Sequence, residues 1–210
     1  MTTADIFNSH TKEYEEWFEK NKFAYESEVA ALKKVTPEGR GLEIGVGTGR
    51  FAKPLGIDTG IDPSGKMLEV AKLRGVKTTV RGRGEELPFE DNEYDFVLLA
   101  FTICFVDDPN KVIKEAKRVL KSNGRIIIGI IDKNSELGKV YQKNKAKSKF
   151  YRIATFYSTG EIIEMLEEFG FKNIKTQQTV FGHLKNLNKI QHSMEGYGEG
   201  GFVVVYGDKS

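Results

Sequence analysis

Residues 40–51 read RGLEIGVGTGRF, a short apolar run that breaks into glycines at positions 45, 47 and 49. Glycine reaches backbone conformations that side chains forbid and lets a main chain come close to a ligand. A strand that ends this way limits the chain to folds in which a strand opens into a ligand-facing loop. The carboxylate of Glu43 lies inside that first strand, just ahead of the glycines.

The rest of the chain repeats a strand–helix rhythm. TGID (59–62), VKTTV (76–80), EYDFVLLAF (93–101) and RIIIGII (125–131) read as further strands, the last two apolar enough to be buried on both faces. GRFAKPLG (49–56) predicts a short helix limited by Pro54. PSGKMLEVAKLRG (63–75) predicts a helix with Pro63 near its start and Gly75 at its end. DDPNKVIKEAKRVLKSNG (107–124) predicts an amphipathic helix capped by Asp108, with Pro109 in its first turn and Gly124 at its stop. Ahead of this pattern, residues 9–34 place Tyr14, Trp17, Phe18, Val29 and Leu32 near helical spacing, and Pro37 and Gly39 end the segment. After it come a helix over 158–170 with Ser158 and Glu161 at capping-box spacing, a strand over 173–181, a polar loop over 182–200 and a strand over 201–207. Alternating buried strands and amphipathic helices predict a doubly wound, mostly parallel α/β sheet.

Composition fits a globular chain: 39% hydrophobic and 30% charged residues exclude a disordered polymer. A net charge of +2 does not argue for nucleic acid. One cysteine, Cys104, leaves no intramolecular disulfide, and three scattered histidines with that cysteine give no metal-ligand spacing. The N-terminus lacks the apolar core of a signal peptide, and the most apolar run, 96–106, is too short for a membrane-spanning helix. A cytoplasmic location and no metal are the expectations.

Which ligand asks for the glycine loop follows from what surrounds it. A phosphate-binding GxxxxGK[ST] loop needs a lysine that is absent here. A dinucleotide fingerprint, GxGxxG, is met by Gly45 and Gly47 but has Arg50 in its third glycine position. Asp62 ends the second strand, where a carboxylate accepts both hydroxyls of a ribose. A ligand with a ribose, a positive group and little phosphate meets these conditions, and S-adenosylmethionine has those features.

At this point the chain resembles the class I S-adenosylmethionine-dependent methyltransferases, and within them the small-molecule group that includes ubiquinone and menaquinone biosynthesis methyltransferases. LEIGVGTGRF, GIDPSGKML, VRGRGEELPF and the stretch from EYDFVLLAF to GRIII match four motifs in order over residues 38–182, and the final strand matches as well. The resemblance implies a Rossmann-like sheet of seven strands, mostly parallel with an antiparallel last strand, under an N-terminal helical cap. It implies one methyltransferase domain over 1–210, with the cap at 1–37, a cofactor-binding half at 38–131 and a substrate-side half at 132–210. It also implies that Gly45, Gly47 and Gly49 let the backbone approach the methionyl end. Glu43 would lie near the ammonium, Asp62 on the ribose hydroxyls and Met67 under the ring system. Gly84 and Glu85 would lie beside the adenine, and Ala100 and Phe101 would line the cofactor slot. Relatives often carry Asp where this chain has Arg83, which cannot accept a hydrogen bond.

The acceptor side is expected from the N-terminal helix, segment 132–157 and loop 182–200, which hold all three histidines and many aromatics. His183 or His192 is the expected group to orient or deprotonate a small-molecule acceptor. Other chemistries have less support. Cys104 follows Ile103 rather than a proline, and AFTI stands where a [DN]PP[YF] motif would be. KVYQKNKAKSKFYR (139–152) has six basic residues and no acid. A solvated surface segment explains it better than an RNA surface with Tyr141, Phe150 and Tyr151 as stacking groups. An RNA methyltransferase and a non-catalytic S-adenosylmethionine-binding module are the alternatives. A nicotinamide-dependent reductase is a further one.

Overall fold

The computed structural model describes residues 2–210. The N-terminal segment forms three helices, α1 (Thr3–Ser9), α2 (Thr11–Lys20) and α3 (Lys22–Val35), where the sequence predicts one. The chain breaks at His10 and Asn21, whose φ angles are −127° and −116°. A capping box starts α1, with Thr2 and Asp5 exchanging side-chain-to-backbone hydrogen bonds. Periodicity hides both breaks, because α2 and α3 still turn Phe18, Ala24, Ala31, Leu32 and Val35 into one buried cluster against the sheet.

The sheet comprises β1 (Gly41–Ile44), β2 (Thr59–Asp62), β3 (Thr78–Arg81), β4 (Tyr94–Ala100), β5 (Leu120–Ile131), β6 (Phe171–Thr179), β7 (Met194–Glu195) and β8 (Phe202–Lys209), in the order β3-β2-β1-β4-β5-β8-β6-β7. Strands β1 to β5 pair in parallel, and β8 is antiparallel to both β5 and β6. Eight strands appear rather than the expected seven; the extra one is the two-residue β7, paired to the edge of β6. The chain winds outward from β1 to β3, returns to β4 beside β1 and then winds the other way. The order therefore reverses between β1 and β4, and ligands in such sheets bind beyond the strand ends at that point.

Helices cover both faces. α5 (Pro109–Val119) and α7 (Thr159–Glu168) bury Val112, Ile113, Ala116, Ile162 and Leu166 on one side. α3 and α4 (Gly65–Arg74) bury Leu32, Leu68 and Ala71 on the other. α4 matches its signals, with the Ser64 side chain accepting from the Met67 N–H and Gly75 in the left-handed region at φ 98°. α5 stops five residues before Gly124, because Leu120 already pairs with Tyr94 in the sheet. Residues 49–56 form consecutive turns rather than the expected helix. Pro54 has no N–H to give the Arg50 carbonyl, and the Tyr25 hydroxyl donates to that carbonyl at 2.6 Å instead. Among the described residues no helix is long and apolar enough to cross a membrane.

Gly60 on β2 supports the glycine loop from beneath, and a Cβ there would lie 2.5 Å from Val46. Gly60→Ala should therefore lower stability by about 1–3 kcal/mol in urea denaturation. Gly65→Ala, at an open helix start, should be neutral or slightly stabilising.

Candidate functional site

The glycine loop after β1 is held by the end of β2. Gly45 N and Val46 N both donate to the Ile61 carbonyl, at 2.8 and 3.1 Å, and Gly49 N donates to the Val46 carbonyl at 2.8 Å. Gly47 N donates to Asp62 Oδ2 at 2.9 Å, and Ser64 N donates to Asp62 Oδ1 at 2.8 Å. Four loop N–H groups are thus committed to the protein, so the loop does not present them as a cradle for phosphate. Gly45, Gly47 and Gly49 all have positive φ, 72°, 50° and 77°. Burial pushes Asp62 up to about 6, against the lowering effect of its two backbone donors.

A cluster of charges closes the cap onto this loop. Glu15 on α2 pairs with Arg50 and with Arg74 of α4, each at 2.6 Å, and Arg50 also reaches Glu19 at 2.7 Å. Arg74 in turn donates to the Thr48 carbonyl. The arginine that breaks the dinucleotide fingerprint is therefore a fastening point for the helical cap. Its guanidinium also lies over the rings of Phe18 and Tyr25.

Beneath the cap, at the β1/β4 switch point, lies a cavity of about 450 Å³. Gly45, Gly47, Asp62 and Met67 border it on the loop side. Gly84, Glu85, Ala100 and Phe101 border it from the turns after β3 and β4. Gly84 has no room for a side chain, since a Cβ would meet Ile44 at 2.7 Å. Phe101 adopts φ 56°, costly for a bulky residue, and is held there by its N–H on the Gly129 carbonyl at 2.9 Å. Its ring packs between Phe51 and Phe202.

Two of the expected cofactor residues do not border the cavity. Gly49 instead packs against α4, where a Cβ would meet Val76 at 2.8 Å. Glu43 is 1% exposed within β1, its Oε2 has no hydrogen-bond partner among the described residues, and burial holds its carboxyl well above the usual range. His183 and His192 are both exposed in the loop after β6 and border no part of the cavity; Leu184, next to His183, does. Arg83 lies between Glu85 and Asp107, and the Asp107 N–H donates to Glu85 Oε1 at 2.9 Å. Asp107 thus puts a carboxylate beside the position where relatives often carry one.

Part of the cavity wall comes from segment 132–157, the segment expected on the acceptor side. Tyr141 of α6 (Glu136–Lys143) meets Tyr151 edge-on at 4.9 Å, Tyr151 stacks on Phe156 at 5.6 Å, and Phe150 stacks on Phe7 at 5.3 Å. Tyr141, Phe150 and Tyr151 all line the cavity, so the aromatics of the basic segment point inward rather than standing free for base stacking. Burial pushes the Cys104 thiol up to about 12, and its Sγ donates to the Phe101 carbonyl, so it stays a thiol at neutral pH.

Glu28 of α3 also lines this end. It is 3% exposed, and Oε2 has no hydrogen-bond partner among the described residues. Burial alone pushes its carboxyl up to about 8. A signal was present in the sequence: the buried stripe of α3 runs 24, 27, 28, 31, 32 and 35, and Glu28 is the one charge in it.

The cavity is lined by five acids and one base, with nine aromatic residues. Such walls suit a ligand that carries positive charge and a planar ring. S-adenosylmethionine, with its sulfonium, ammonium and adenine, meets both conditions, and Asp62 keeps acceptor capacity beyond its two backbone donors.

A methyltransferase domain model matches residues 42–128. An uncharacterized protein of Methanocaldococcus jannaschii is 52% identical, over 98% of this chain and 99% of its own length. A demethylmenaquinone methyltransferase of Staphylococcus aureus is 30% identical, over 84% of this chain and 88% of its own. Among solved structures, an S-adenosylmethionine-dependent methyltransferase of Thermotoga maritima, a possible histamine N-methyltransferase, superposes with a TM-score of 0.96 at 50% identity, covering 98% of this chain and 99% of that one.

Glu28 makes stability depend on pH. The folded chain keeps this proton up to about pH 8, whereas the unfolded chain gives it up near 4.5. Ionising it therefore destabilises the fold progressively as pH rises through that window. Glu28→Gln does not titrate, so its melting temperature should rise relative to the parent between pH 5 and pH 8. Thermal melts at both values measure the difference.

Proposed function

Because the chain belongs to the class I S-adenosylmethionine-dependent methyltransferases, we propose that it methylates a small molecule held wholly inside the capped cavity. The supporting observation is the cavity itself: about 450 Å³, near the low end of the roughly 300–1,000 Å³ typical of ligand sites, and shared between cofactor and acceptor. The relatives' names point the same way, since the S. aureus protein is a demethylmenaquinone methyltransferase and the T. maritima protein a possible histamine N-methyltransferase. RNA has less support, because the aromatics of the basic segment face the cavity.

Roles follow from position. Asp62 would accept from the ribose hydroxyls. Gly45 and Gly47 would leave room for the methionyl end, and Glu85 with Asp107 would face the adenine. Met67, Ala100 and Phe101 would form the apolar walls of the cofactor slot. Glu43 would act from behind the loop, through water. When bound, the cofactor supplies a methyl group already activated on a positive sulfur. The protein's own part is then to align the acceptor and exclude water. Tyr14, Trp17 and Phe18 of α2 border the cavity and provide that exclusion. The two loop histidines border no part of the cavity, so they are not assigned a proton-transfer role.

Incubation of the protein with S-adenosylmethionine should yield S-adenosylhomocysteine with members of a small-metabolite panel and not with total RNA. Product with RNA alone would overturn the proposal. Asp62→Ala should weaken S-adenosylhomocysteine binding by about a hundredfold in calorimetry, the loss of two charge-assisted hydrogen bonds. Unchanged affinity would mean that the ribose lies elsewhere.

A further inference from the structure

Of the five acids that line the cavity, four are accounted for. Glu13 pairs with Lys149 and His10, and Glu85 and Asp107 share Arg83. Asp62 accepts two backbone N–H groups. Glu28 has no ion-pair partner among the described residues, and its Oε2 is buried without a hydrogen bond. Its burial holds the proton on at neutral pH, and ionising it in this state would cost several kcal/mol unless a cation arrives to pair with the charge. A glutamine or leucine at position 28 would fill the same stripe of α3 without that cost.

The surroundings state what kind of partner fits. Tyr141 and Tyr151 lie close enough that an ionised Glu28 opposes their own ionisation, and neither donates a hydrogen bond to it in this structure. Trp17 and Phe150 line the same space. An aromatic box with one unpaired acid and no lysine favours a cation, through the ring faces and through the carboxylate charge that the cation itself would stabilise. A neutral hydroxyl acceptor gains a hydrogen bond from Glu28 without the charge pairing that an ammonium gains, and a carboxylate acceptor would be repelled once Glu28 is ionised.

We propose that Glu28 makes the acceptor end of the cavity a site for a small protonated amine and takes the proton that the amine must lose before it is methylated, an assignment that rests on the methyl-transfer reading above. The balance is complete. The ammonium binds to ionised Glu28, whose own proton has gone to solvent as the cation arrives; one ammonium proton then passes to a carboxylate oxygen, which frees the nitrogen lone pair. That pair forms the new N–C bond as the C–S bond breaks, and the C–S electrons stay on sulfur as a neutral thioether. The product leaves as an N-methylammonium ion, and Glu28 returns its proton to solvent. Burial places Glu28 near 8, within reach of an amine of pKa about 8–10.

The test uses matched amine and alcohol pairs, histamine with its primary alcohol analogue and tyramine with tyrosol, together with a set of small aliphatic amines. The protein is first loaded with S-adenosylhomocysteine, and loading itself is measured by calorimetry. Failure to load would count against the cofactor site and so against both proposals. Given loading, at least one amine should bind with its alcohol partner at least tenfold weaker, and S-adenosylmethionine should be consumed with the amine alone. Glu28→Gln should keep S-adenosylhomocysteine affinity within about twofold and lose amine affinity by about a hundredfold. It should also melt higher than the parent at pH 8, which a variant damaged in folding would not do. Glu28→Asp should retain part of the amine affinity. Equal binding of amine and alcohol, failure of every amine to bind, or full amine affinity in Glu28→Gln would overturn the assignment and leave the cofactor site standing.

Discussion

The carboxylate of Asp62 ties together the two loops on which the site is built. One oxygen takes the Gly47 N–H from the loop after β1, and the other takes the Ser64 N–H at the start of α4. With Gly45 and Val46 both on the Ile61 carbonyl, the end of β2 fixes the path of the whole glycine turn. Burial of a carboxylate is tolerated here because each oxygen has a donor, and the lone pairs left over face the cavity. The same arrangement decides the class of ligand. Once the loop N–H groups are spent on protein acceptors, an anion finds little at this turn that a helix N-terminus would normally offer.

Charge continues that selection along the cavity. Its acids outnumber its bases five to one, and the base, Arg83, is held by Glu85 and Asp107. A cofactor with a sulfonium and an ammonium enters such a space with its charge already complemented. The aromatic walls then exclude water, which strengthens every remaining electrostatic contact. Cap, loop and acidic lining thus enclose one cavity from three sides.

The parallel sheet was legible because its strands are short, apolar and punctuated by glycine or proline at each turn. The segments EYDFVLLAF and RIIIGII appear almost as read, as β4 and β5. Asp62 was legible as the carboxylate that ends the second strand beside the glycine loop, and it does end β2 and border the cavity. The breaks at His10 and Asn21 were not, because the apolar spacing carries on across them. Segment 132–157 was expected at the pocket and its Tyr151 borders the cavity; Tyr141 was masked by the lysines around it, which favour a surface reading. His183 and His192 attracted attention as titratable groups on a loop expected near the pocket, but sequence proximity does not say which way a loop faces. Glu28 was legible in principle, as a charge inside an apolar stripe, and its neighbours in α3 drew the eye to packing instead.

Arg50 gives the cap one further property. Glu15 holds Arg50 of the glycine turn and Arg74 of α4 at the same time, and Arg74 also reaches the Thr48 carbonyl. The two ion pairs are therefore not independent, since they share one carboxylate, and substituting Glu15 removes both. One carboxylate thus braces the glycine turn and α4 to the helical cap at the same point.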